Sequence, residues 1–186
     1  MTINPAPDAL LHGCRSGNLQ AQQQLFERYN AALFGVCLRY ACDRPEAQDI
    51  LQEAFLVIFR DIRQFNGVGS LEGWLRKVTI RTALQHLRRR NPLRFAEDYT
   101  ALSPQTFNVL PDTDFQQEHI LQMVQELPPG YRCIFNLRCL EDFSYAEIAA
   151  ELGIAESSAR SQYTRACQLL RKRLELLSIR EFRDVS

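Results

Sequence analysis

The chain has 186 residues, 46% of them hydrophobic, which is enough for one domain or two small ones with real cores and excludes intrinsic disorder. Its 22 lysines and arginines balance 22 aspartates and glutamates, so the whole chain lacks the basic signature of a protein that binds nucleic acid unaided. The balance is uneven: twelve basic against eight acidic residues over 1–91, one against six over 92–130, and nine against eight over 131–186. A basic front, an acidic middle and a near-neutral end predict two modules joined by a linker, with any nucleic-acid contact made by local patches.

Strand signals are nearly absent and a 3.6-residue periodicity recurs from residue 8 onward, so the expected fold class is all-α. A short helix is expected around residues 8–15. Ser16-Gly17-Asn18 then opens a long helix whose stripe is Leu25, Tyr29, Ala32, Val36 and Tyr40, widened by Leu33 and Cys37. Asp43 and Glu46 predict a capping box for a third helix, with Pro45 in its first turn where a missing N–H costs nothing. The core stripe of that helix is Ala47, Ile50, Leu51, Ala54, Phe55, Ile58 and Ile62. Its reverse face carries Asp49, Gln52, Glu53, Leu56, Phe59 and Arg63. Two large apolar residues on an acidic and polar face suggest a docking surface, with packing by another helix as the competing explanation.

The glycines of Phe65-Asn66-Gly67-Val68-Gly69-Ser70 mark a loop. The helix expected after it, over 71–90, has an apolar side of Trp74, Val78, Ile80, Ala83, Leu84 and Leu87. It also carries Arg76, Lys77, Arg81, Arg88, Arg89 and Arg90, with no acid between 73 and 90. A run of charge is usually just a solvated face, but six cations beside a flexible loop make a better nucleic-acid footprint. Asn91-Pro92 ends the helix. Pro92 to about Glu118, with Pro104, Pro111 and five acidic residues, reads as a flexible linker over 93–118.

The second module opens with Glu118 to Leu127 and turns at Pro128-Pro129-Gly130 into a helix carrying Cys133, Ile134, Leu137 and Leu140. Ser144 and Glu147 then form a capping box for a helix with Ile148, Ala149 and Leu152 on its buried stripe. Gly153 stops that helix, and Ile154 fills the corner. On the next helix Ala159, Tyr163, Ala166 and Leu170 share a face, with Cys167 and Leu174 at its margin. The opposite face holds Ser157, Ser158, Ser161, Thr164, Arg165 and Gln168, flanked by Arg160. This is a helix-turn-helix, or a winged-helix-like variant of one, and its small hydroxyls and arginines suit a DNA groove. An ordinary helical hairpin with a solvated outer face is the plainer reading.

Cys14, Cys37, Cys42, Cys133, Cys139 and Cys167 include no Cys-x-x-Cys pair and mostly fall in apolar stripes, so they read as reduced core thiols, with a thiol redox switch left open. His12, His86 and His119 lack ligand spacing with any cysteine, so no metal and no cofactor are expected. No apolar segment suggests secretion or membrane insertion, and a cytoplasmic protein is expected. No Gly-rich phosphate loop and no nucleophile with a partner base appears, so no enzyme and no catalytic residue is expected.

Asp49-Ile-Leu-Gln-Glu-Ala-Phe-Leu-Val-Ile-Phe, Ser70-Leu-Glu-Gly-Trp-Leu-Arg-Lys-Val and Leu87-Arg-Arg-Arg resemble region two of the extracytoplasmic-function (ECF) sigma factors of bacterial RNA polymerase. Leu127-Pro-Pro-Gly-Tyr-Arg-Cys-Ile-Phe-Asn-Leu-Arg, Phe143-Ser-Tyr-Ala-Glu-Ile-Ala-Ala-Glu-Leu-Gly-Ile and Ala159-Arg-Ser-Gln-Tyr-Thr-Arg-Ala are similar to region four. The pairing of the motifs in this order, across most of so short a chain, is more specific than either alone. The resemblance implies a region-two domain at 1–92, a linker at 93–118, a region-four domain at 119–176 and a tail at 177–186. It implies docking of Asp49, Gln52, Glu53 and Leu56 on the clamp helices of the polymerase β′ subunit. Opening of the minus-ten element is implied for Asn66, Ser70, Trp74, Arg76, Lys77, Arg81, Arg88, Arg89 and Arg90, with the loop at 65–70 capturing a flipped base. Region four would bind the β flap and read the minus-thirty-five element through Ser157, Ser158, Arg160, Ser161, Thr164 and Arg165. An anti-sigma factor is the further partner implied.

The chain departs from the family pattern at Arg81 and Gln85, where Asn and Asp are more usual. Ala155 also stands where a hydroxyl or proline usually opens the recognition helix, a missing cap worth about 1 kcal/mol. Two other functions stay open here: a sigma-like adaptor that sequesters a regulator without touching DNA, and a dimeric helix-turn-helix repressor. The retained arginines weigh against the first, and the acidic-apolar face at 49–59 with no heptad zipper weighs against the second.

Overall fold

The computed structural model describes residues 7–90 and 117–184, which form helices and their connections with no strand among them. The second module is therefore described as a helix-turn-helix without a wing. The helices are α1 (Pro7–Arg15), α2 (Leu19–Tyr40), α3 (Arg44–Asp61), α4 (Leu71–Arg90), α5 (Gln117–Gln125), α6 (Pro129–Cys139), α7 (Tyr145–Leu152) and α8 (Glu156–Asp184), with a 3-10 turn at Ile62–Gln64. They divide into two compact units, Met1–His86 and Leu87–Ser186. The expected linker lies outside the described residues except at its end, where Gln117 and Glu118 already belong to α5.

In the first unit Asn18 starts α2 by accepting hydrogen bonds from the amides of Gln20 and Ala21, at 2.9 and 3.2 Å. Leu25, Leu33, Val36, Cys37 and Tyr40 are buried and Tyr29 is half-buried, but Ala32 is exposed. The stripe is centred toward Leu33 and Cys37, and the alanine at its edge has the least area to gain from burial. A Cβ on Gly13 of α1 would lie 2.6 Å from the Cβ of Ala21, so only glycine permits this approach of α1 to α2.

The predicted capping box of α3 closes one residue early. Asp43 accepts from the Glu46 amide at 2.8 Å as expected, but the Glu46 carboxylate accepts from the amide of Cys42, at 2.6 Å, instead of that of Asp43. Ala47, Ile50, Ala54, Phe55, Ile58 and Ile62 are buried as expected, while Leu51 is half-buried. Helix α4 buries three residues that its apolar pattern did not mark: Leu75, Thr79 and Thr82. The threonines escape the pattern because they read as polar. Inside, each donates its hydroxyl to the carbonyl four residues back, Leu75 and Val78, at 2.9 Å.

In the second unit Pro129 opens α6, which buries Tyr131, Cys133, Ile134 and Leu137. Leu140, expected on this stripe, is instead the capping residue after the helix and is 44% exposed. Both arms of the Ser144–Glu147 capping box form, at 3.2 and 2.8 Å. Gly153 caps α7 with φ 66°, a left-handed backbone that any side chain would strain. On α8, Ala159 and Ala166 are fully buried and Tyr163, Cys167 and Leu170 half-buried, while Leu174 is exposed. Gln162, not anticipated inside, is buried as well. Arg173 ties α8 to the Met123 carbonyl of α5 at 2.9 Å and to the carboxylate of Glu126, just after α5, at 3.3 Å. The segment expected as a tail continues α8 as far as Asp184.

Replacing Ser144 by Ala removes one arm of the α7 cap and should destabilise this unit by about 1 kcal/mol, lowering its melting temperature by several degrees. Denaturant unfolding monitored by helical circular dichroism checks this. An unchanged midpoint would mean that packing alone holds the start of α7.

Candidate functional site

Three surfaces carry the residues singled out by sequence. On α3 the core stripe turns inward, which leaves Asp49, Gln52 and Leu56 exposed on the reverse face, Leu56 at 72%. Phe59 does not share that exposure: its ring lies 5.7 Å from that of Phe55 and packs against the core. Leu56 is thus the large apolar residue the face presents. Glu53 is half-buried because His86 of α4 reaches it, Nδ1 to Oε1 at 3.1 Å. The other ring nitrogen of His86 lies 3.8 Å from Glu46. One imidazole is therefore hydrogen-bonded to a carboxylate on the candidate docking face and lies close to the carboxylate that caps α3, without a hydrogen bond to it. Sequence reading missed His86, whose partners lie 33 or more positions away with no local signal.

The loop at 65–70 is anchored at its start. Phe65 is buried, its carbonyl accepts a hydrogen bond from the Arg15 guanidinium, and its ring sits 5.9 Å from that of Trp74. Beyond it the chain is exposed. The Asn66 side chain accepts from the Val68 amide at 3.1 Å, Gly67 and Gly69 both have φ near 80°, and Ser70 caps α4 through the Gly73 amide at 3.0 Å. Trp74 is half-buried and packs against the core, so part of its surface is already committed. On α4, Lys77, Arg81, Gln85 and Arg89 recur every four residues and are all exposed, which places them along one face. Arg76 and Arg88 are half-buried and Arg90 is exposed. The structure thus aligns three of the six predicted cations with Gln85.

On α8, Ser157, Arg160, Ser161, Thr164, Arg165 and Gln168 line one shallow depression. Ser158 is half-buried beside it, and its carbonyl accepts from Ser161 at 3.1 Å. Thr164 likewise donates to the Arg160 carbonyl at 3.0 Å. These hydroxyls present their lone pairs outward and their protons to the helix. Arg160 is held twice: Glu156 accepts from it at 3.0 Å, and its guanidinium lies 4.5 Å from the ring centre of Tyr145 on α7. Tyr145 in turn meets Tyr163 edge-on at 5.9 Å, and Tyr163 stacks with Phe135 at 6.5 Å. Tyr145 was not marked by sequence, because its role comes from the fold of α7 over α8. No cluster of metal-ligating side chains occurs among the described residues. No described helix is long and apolar enough to cross a membrane.

Family models described as Sigma-70 region 2 and Sigma-70, region 4 match residues 25–92 and 117–170. The chain is 29% identical over 180 residues to the RNA polymerase sigma-H factor of Pseudomonas aeruginosa, covering 90% of this chain and 93% of that protein. It is 26% identical over 181 residues to the ECF RNA polymerase sigma-E factor of Haemophilus influenzae, covering 91% and 95%. In fold it is similar to the Bartonella quintana sigma factor RpoE, solved in complex with the anti-sigma factor NepR, with a TM-score of 0.53 at 18% identity over 82% of this chain and 96% of that one.

Proposed function

We infer, because the chain belongs to the sigma-70 family of RNA polymerase sigma factors, that it is an ECF-type sigma factor that binds core RNA polymerase and directs it to promoters. The observation that carries this reading is the presence on one chain of both an apolar-acidic docking face, at Asp49, Gln52, Glu53 and Leu56, and an exposed polar recognition face on α8. A repressor has no use for the first, and a decoy has none for the second. In this reading the α3 face meets the β′ clamp helices, the loop at 65–70 and α4 open the minus-ten element, and α8 reads the minus-thirty-five element while its unit rests on the β flap. The domain boundaries proposed with this reading are region two at 1–92, then a linker from 93, with region four beginning at α5.

The chain acts by binding and catalyses nothing itself, and it works in the cytoplasm, where polymerase and promoters meet. Its neutral net charge suits a subunit that binds promoter DNA on the polymerase, which supplies further phosphate contacts. An anti-sigma factor that covers the docking surfaces is the expected regulator. Core polymerase reconstituted with the purified chain should initiate transcription from a small subset of genomic fragments. Core binding without initiation would favour the adaptor, and dimeric DNA binding without polymerase would favour the repressor.

A further inference from the structure

Arg138 lies in the last turn of α6, outside the helix-turn-helix formed by α7 and α8. Its half-buried side chain has two attachments. The guanidinium donates to the carbonyl of Phe143 at 3.1 Å, just before the capping Ser144, and lies 5.3 Å from the ring centre of Tyr145, the first residue of α7. Between α6 and α7 the chain passes through Asp142 at φ 57°, a left-handed turn uncommon for residues other than glycine. Arg138 spans that turn from the helix before it. It thereby holds both the backbone that starts α7 and the ring at its first position.

The same ring receives a second cation. Arg160 of α8 lies 4.5 Å from its centre and donates to Glu156 at 3.0 Å. A ring attracts a guanidinium over its face, so a tyrosine free to change rotamer holds Arg160 less well. The helix that carries Arg160 is itself set on α6, through the stacking of Tyr163 with Phe135 at 6.5 Å and the contact of its hydroxyl with the Cys139 sulfur at 3.2 Å. Two guanidiniums near one ring also repel one another. Each has its own oxygen acceptor, the Phe143 carbonyl or the Glu156 carboxylate, so neither depends on the ring alone.

We propose that Arg138 is a positioning residue for promoter recognition: by holding Tyr145 it aims Arg160, and so helps set base preference from outside the recognition helix without contacting a base. The effect on base preference rests on the reading of α8 as the recognition helix; the hold of Arg138 on Arg160 through the ring does not.

Two variants of the full chain test this. Arg138→Gln keeps a side-chain N–H for the Phe143 carbonyl and loses the cation, while Arg138→Lys keeps both a donor and the charge. In the free wild-type chain the Hδ and Hε protons of Arg160 should show the upfield NMR displacement of a group over a ring face. That displacement should fall by about half or more in Arg138→Gln and stay near wild type in Arg138→Lys. Holoenzyme activity on a library of minus-thirty-five variants should show Arg138→Gln relaxing choice by about threefold at the base position affected by Arg160→Ala, with no further change there once Arg160 is Ala, and Arg138→Lys restoring it. No displacement in the wild type, or an unchanged or larger one in a folded Arg138→Gln, overturns the positioning. Unfolding of Arg138→Gln despite its retained donor also overturns it, since Arg138 would then serve the fold alone. A uniform loss on all promoters with a smaller salt slope overturns it in favour of a direct phosphate contact. If the displacement falls and Arg160→Ala alters base choice while Arg138→Gln does not, the share of Arg138 in recognition is overturned. If it falls and Arg160→Ala leaves base choice untouched, the hold on Arg160 stands and the reading of α8 as the recognition helix fails.

Discussion

Replacing Leu56 by Asp should weaken binding to core RNA polymerase by more than about thirtyfold, or ~2 kcal/mol, while leaving thermal unfolding of the chain unchanged. The two readouts separate because Leu56 is 72% exposed and contributes little to the core. Glu53 is a different case. Its carboxylate partners His86, so Glu53→Lys reverses the charge of the face and also strips a hydrogen bond worth about 1 kcal/mol from the α3–α4 contact. Glu53→Gln distinguishes the effects: its amide oxygen can keep the bond to His86, and only the charge is lost. Expected is a loss of polymerase affinity in both Glu53 variants, with a loss of stability confined to the lysine. If the Leu56 and Gln variants are folded and bind core as the wild type does, this face is not the docking surface.

What could be read from sequence follows the range of the interaction. The Ser144–Glu147 box and the left-handed Gly153 are decided within four residues, and both were legible. The periodic stripes of α2 and α3 were legible for the same reason, except at margins such as Ala32, where one step around the helix separates burial from exposure. Interior Thr79, Thr82 and Gln162 were not, since polarity argues outward, and a polarity pattern does not register that the threonine hydroxyls are satisfied by carbonyls of their own helix. The candidate surfaces show the same limit. Composition marked the cations of α4, but the four-residue alignment of Lys77, Arg81, Gln85 and Arg89 needs the observed exposure to set it apart from half-buried Arg76 and Arg88. His86 beside Glu53, and Tyr145 beneath Arg160, are meetings of separate helices that no local pattern announces.

Replacing Arg160 by Ala should cost about 1–3 kcal/mol at one base position of the minus-thirty-five element and relax the choice of base there. The geometry favours Arg160 over Arg165 for this role. Arg160 is exposed, and Tyr145 and Glu156 restrict its side chain, so less conformational freedom is lost when it engages a base edge. The competing ion pair with Glu156 is between two exposed groups and is worth at most about 1 kcal/mol, which a bidentate contact to guanine exceeds. Arg165 is half-buried at the rim of the same depression, a place suited to a phosphate. Its replacement by Ala should weaken all promoters nearly alike and reduce the salt dependence of binding by about one unit of slope. Holoenzyme activity on a library of minus-thirty-five variants, measured at several salt concentrations, resolves the two signatures. Tyr145→Leu should shift base preference in the same direction as Arg160→Ala, because it removes the ring against which the guanidinium rests. If both arginine variants match the wild type in strength, preference and salt slope, α8 does not read the promoter, and recognition must come from another surface.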